Sequence, residues 1–87
     1  MDEDLKKLKK DFDAEIRKIE DLDDISRQKL DKLASHVETK LQKPHDPAHH
    51  DRLIRHLEDN IHYFEVTHPD LTMVMNNILT LLSNLGI

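Results

Sequence analysis

Residues 71–87 read Leu-Thr-Met-Val-Met-Asn-Asn-Ile-Leu-Thr-Leu-Leu-Ser-Asn-Leu-Gly-Ile and contain no charged side chain, in a chain that is 36% charged over its 87 residues. Stepping about 100° per residue puts Leu71, Val74, Met75, Ile78, Leu79, Leu81, Leu82 and Leu85 on one arc of roughly 160° of a helix. That arc is wider than one partner helix covers, so this helix forms only where it is buried. Two solutions satisfy it. Either it is the central helix of an intramolecular bundle, or it shares part of its arc with an identical second chain. The second solution makes Leu71, Val74, Met75, Ile78, Leu82 and Leu85 interface residues of a homodimer. Thr67 is placed to cap the helix, with Val66 and Leu71 at the positions of a hydrophobic staple. Gly86 and Ile87 suit the end of a helix closed by a left-handed residue and an apolar contact back to Leu82.

Working back from this segment, Lys43-Pro44-His45-Asp46-Pro47 marks the start of another helix, with Asp46 as N-cap and Pro47 in the first turn. Leu53, Ile54, Leu57, Ile61 and Phe64 form its apolar face, and Pro69 limits its run by disfavouring helical geometry at His68. Upstream, Leu5, Leu8, Phe12, Ile16 and Ile19 form a narrow stripe of coiled-coil width, and Leu30, Leu33, Val37 and Leu41 form another. Asp21-Leu22-Asp23-Asp24 reads as a break and a new helix start, which makes residues 1–43 a hairpin. With no glycine or proline at the joint, one long helix is the alternative. The expected fold is all-α: helical hairpins over residues 3–20, 24–42, 47–66 and 68–85, in a single domain of 87 residues, as a four-helix arrangement that dimerisation could complete.

Composition removes several function classes. There is no cysteine, hence no disulfide, thiolate metal site or cysteine nucleophile. The only glycine is Gly86, so no glycine-rich loop cradles a phosphate. Ser26, Ser35 and Ser83 sit in no nucleophile motif. A net charge of −5 opposes binding to nucleic acid. The one basic run, Lys6 to Lys10, is surrounded by Asp2, Glu3, Asp4, Asp11 and Asp13 and has no aromatic side chains for base stacking. Thr72, Asn76, Asn77, Thr80, Ser83 and Asn84 make the uncharged segment too polar and too short to cross a bilayer. No catalytic residues and no cofactor are expected, and the cytoplasm is the expected location.

Six of the seven histidines fall between positions 45 and 68. His49 and His56 share one side of a helix, and with His45 they are the candidate ligands of a metal ion should further ligands converge. His62 stands between Glu58 and Glu65 on one face, the pattern of an exposed charge pair. His50 reads as the one histidine on the apolar side of its helix, where protonation near pH 6 opposes burial.

Phe64-Glu65-Val66-Thr67-His68-Pro69-Asp70-Leu71 and the Leu82-Ser83-Asn84-Leu85-Gly86-Ile87 ending resemble a family of small bacterial proteins known as a domain of unknown function, number 4404. The Leu22-Asp23-Asp24 step, with Leu30 and Leu33 after it, is similar as well. The resemblance implies a small bacterial helical protein and carries no activity with it. The reading that follows is a non-enzymatic helical interaction or scaffold protein, self-associating through its C-terminal helix. The alternative is a histidine-rich module that binds metal or responds to pH.

Overall fold

Four helices follow one another: α1 (Asp2–Arg17), α2 (Asp24–Gln42), α3 (Pro47–Phe64) and α4 (Pro69–Leu85). The computed structural model describes the backbone of residues 2–85 and the side chains of residues 3–84. Short connections at residues 18–23, 43–46 and 65–68 turn each helix back against the one before it. α2 packs on α1 and α3, and α4 packs on α3 and α1. Each helix thus has two close neighbours, and among the described residues no diagonal pair brings its backbones together.

The break between α1 and α2 is written locally, and it sets aside the single long helix. Asp23 caps α2, its Oδ1 accepting the Ser26 N–H at 2.7 Å. That backbone bond, helped by the Ser26 hydroxyl, holds the Asp23 carboxyl below its ordinary pKa. α1 ends at Arg17, short of residue 20, because its last turn tightens into Lys18 N–H to Glu15 and Ile19 N–H to Ile16 carbonyl bonds. The tightening lets Ile19 and Leu22 turn back onto the core. At the far end of α2, the Lys43 N–H donates to the Thr39 carbonyl at 2.8 Å, and Pro44 prevents the helix from continuing.

α3 starts as its sequence dictates, with Asp46 Oδ1 accepting the His49 N–H at 3.2 Å and Pro47 in the first turn. It ends at Phe64, two residues before the expected 66, and the His68 N–H then closes on the Phe64 carbonyl at 2.8 Å. α4 starts at Pro69 and not at residue 68: Pro69 takes the first helical position, and the His68 carbonyl accepts the Thr72 N–H at 3.1 Å. Thr67 is therefore outside the cap. Val66 is 86% exposed, so the Val66–Leu71 staple is not made. The expected Gly86 and Ile87 closure lies outside the described residues.

The core is built from Leu5 and Phe12 of α1, Leu30, Leu33 and Val37 of α2, Leu53, Leu57 and Phe64 of α3, and Leu71, Met75, Ile78 and Leu82 of α4. Within this chain α4 takes the first of its two solutions, that of a bundle helix. Leu71, Met75, Ile78 and Leu82 are buried inside this chain, Val74 is half-buried beside them, and the Leu85 side chain is outside the description. A second copy reaches those four side chains only if the bundle opens. The physical reason is closure: α1 and α3 flank α4 from two sides and together cover a wide arc. The radius of gyration of 12.2 Å agrees with the ~12 Å expected of a compact chain of this length.

Candidate functional site

The core is apolar except along one seam. Ser26, Lys40, His49, Asn60 and Thr72 are the buried polar residues, and all but Thr72 belong to α2 or α3. Thr72 is satisfied by its own helix, its hydroxyl donating to the Pro69 carbonyl at 2.9 Å. The α2–α3 residues are not all satisfied.

On α3 the buried line runs His49, Leu53, Leu57, Asn60 and Phe64, spaced 4, 4, 3 and 4. Leu53, Leu57 and Phe64 are buried as the sequence reading has them, while His49 and Asn60 take the places it gave to Ile54 and Ile61. The buried histidine is His49, at 5% exposure, and not His50. His50 is half-buried at the edge, as are Ile54 and Ile61. The reading was drawn toward Ile54 and Ile61, which flank the face, whereas α2 and α4 together demand the line through Leu53 and Leu57.

α2 supplies a partner that the spacing of histidines on α3 did not reveal. His36 stands opposite both members of the expected pair: its Nδ1 is 3.5 Å from His49 Nε2, and its ring stacks on His56 with centroids 4.2 Å apart and planes 22° apart. The signal was available, because His36 lies three residues after Leu33 and so shares the inward side of α2. His49 and His56 are thus brought together through His36. His45 is exposed in the α2–α3 connection.

A second contact ties the end of α2 to the start of α3. Lys40, 6% exposed, donates through Nζ to the Pro44 carbonyl at 2.9 Å and lies 3.0 Å from His50 Nδ1. Burial lowers the Lys40 pKa, and the Asp46 carboxylate opposes that shift.

Electrostatics on the seam favour neutral imidazole. The His36 pKa is lowered, first by burial and then by His56, His49, Arg52 and Lys32. The His49 pKa is lowered, first by burial and then by Arg52, Lys40 and His50, with only Asp46 acting the other way. Two buried polar atoms have no partner, His49 Nδ1 and Asn60 Oδ1, while Asn60 Nδ2 donates to the His56 carbonyl at 2.8 Å. Beyond Asn60 the seam opens into a surface groove of about 630 Å³ lined by Ile25, Lys29, Lys32, His56 and Asp59 among others. At that end Lys29 Nζ lies 4.8 Å from the centre of the exposed Tyr63 ring.

No group of three or more His, Asp or Glu side chains among the described residues is arranged to hold a metal ion. The reason is visible in the stack: His36 and His56 meet face to face, whereas ligands direct ring nitrogens at a common point. His62 is exposed, its Nδ1 3.8 Å from Glu65 Oε1.

The outward face of α4 completes the candidate surfaces. Met73, Asn76, Asn77, Thr80, Ser83 and Asn84 are exposed, and none is charged.

These features define a small all-α bundle of four sequential antiparallel helices, with an apolar core and one polar, histidine-bearing seam. The chain belongs to the family described as domain of unknown function DUF4404, whose pattern it matches over residues 1–87. No curated protein and no solved structure matches it. No helix among the described residues is long and apolar enough to cross a membrane.

Proposed function

We propose that this chain is a non-enzymatic helical interaction protein of the cytoplasm, self-associating as a homodimer through the outward face of α4. One observation supports this reading: six exposed side chains from Met73 to Asn84 present no charge, in a chain that is otherwise densely charged. Interface centres are depleted in charged residues. Each copy carries a net charge of −5. The one charged side chain of α4, Asp70, lies in its first turn, so two copies that meet across residues 73–84 set no charged α4 side chain of that stretch against another, and a two-fold axis brings the same uncharged patch to both sides. The partner surface is therefore the polar, outward side of α4 and not its buried leucines.

Light scattering on a sizing column tests it. The expected mass is twice the 10.3 kDa chain, returning to a single chain in the Asn77→Lys, Asn84→Lys double variant. Both sites are exposed, so that variant keeps its helicity. A wild-type chain that runs as a monomer at high micromolar concentration overturns self-association.

A second reading, a histidine module, is favoured by the convergence of His36, His49 and His56. Because that convergence is stacked and not metal-directed, the proton is the ligand this reading calls for.

A further inference from the structure

We infer that the α2–α3 seam is a proton-operated latch: closed while His36 and His49 are neutral, and released on acidification so that α2 separates from α3. The inference rests on the histidine reading above and is independent of self-association.

Geometry carries it. Three imidazoles occupy one contact, with His36 3.5 Å from His49 and stacked at 4.2 Å on His56. Protonating any two sets like charges within that contact. His49 has no room to accommodate a proton otherwise. A neutral imidazole carries one N–H and one lone pair, and the cation carries two N–H groups. His49 Nδ1 is already buried without a protein partner, so the cation would have an N–H there with no acceptor from the protein. The charged groups acting on the pair come from α2 (Lys32, Lys40), from α3 (His50, Arg52, His56) and from the connection (Asp46). None comes from α1 or α4. Asp46 is the only anion among them, and it also caps α3 through the His49 N–H.

The sign follows from linkage. Both histidines have folded-state pKa values lowered from an ordinary value of 6.5. The open form therefore binds more protons. Stability is fully present above that value and is lost as pH falls below it. An imidazole that takes its proton only in the open form shifts the opening equilibrium by about tenfold for each pH unit below its open-state pKa. Release would uncover Leu33, Val37, Leu53 and Leu57, a new apolar surface made available by acid.

Amide hydrogen exchange of the full chain, corrected for intrinsic rates, tests the latch. Protection at Val37, Leu53 and Leu57 should fall by about tenfold or more between about pH 7.5 and 5.0, and by more than at Met75 and Ile78. The His36→Gln, His56→Gln double variant should lose most of that pH dependence, and His62→Gln should keep it. Unchanged seam protection, or an undiminished pH dependence in the double variant, overturns the latch. Should the double variant fail to fold, ring titration in the wild type decides: His36 and His49 must protonate below the ordinary imidazole value of 6.5, and protonation at or above it overturns the inference.

Discussion

α4 and the α2–α3 seam bury comparable stretches of helix in different ways. α4 turns Leu71, Met75, Ile78 and Leu82 inward, and its single buried polar group, Thr72, bonds to its own helix. Nothing in that arrangement depends on orientation or protonation, because apolar burial is non-directional. The seam turns Ser26, Lys40, His49 and Asn60 inward and leaves two polar atoms unpartnered. Its closure depends on which atoms carry protons. The same bundle thus has one side fixed by area and another conditional on pH.

Predictions that bear on this contrast run from the apolar side to the surface. Phe12→Ala removes one of the two largest fully buried side chains of the core and should cost about 3–5 kcal/mol at every pH. A small bundle tolerates little of that, and chemical denaturation should find the variant largely unfolded in water. A mild loss would show that α1 contributes less to the core than its burial indicates. His49→Leu acts on the other side. It replaces a buried group bearing an unpartnered nitrogen with an apolar one, and half-exposed His36 regains water. Stability should rise by about 1 kcal/mol near neutral pH and by more in mild acid. A destabilised variant with unchanged pH dependence would erase the distinction between the two sides.

Asp46→Ala should cost about 1 kcal/mol in urea unfolding, by removing the α3 cap, and should steepen the loss of stability in acid, since Asp46 is the anion that faces His49. The smallest effect is expected at Val66. With 86% of it exposed, Val66→Ser should change stability by no more than about 0.5 kcal/mol. A larger loss would mean that the missing staple forms in solution.

Much of the fold was readable because it depends on local chemistry. The caps at Asp23 and Asp46 and the proline in the first turn of α3 are short-range devices, and each lies where its residues indicated. Misreadings cluster where two local signals compete. At residues 64–69, Thr67 offered a cap and Pro69 offered a first helical position. Pro69 prevailed, which moved α4 by one residue and turned Val66 outward. The candidate site was half readable. His49 and His56 were visible as an i, i+7 pair, but His36 lies thirteen residues away from His49 on another helix.

By itself the sequence determined an all-α fold, the approximate bounds of α3 and α4 and the need to bury α4, and it left residues 1–43 as either a hairpin or one long helix. Periodicity, caps and the lack of charge after Asp70 are properties of single segments. Tertiary structure decided which face of α3 is inward, that α1 and α3 cover α4 within one chain, and that three imidazoles share one contact. Those outcomes depend on how neighbouring helices rotate against each other. A rotation of about half the ~100° step between residues is enough to exchange His50 for His49 at the seam.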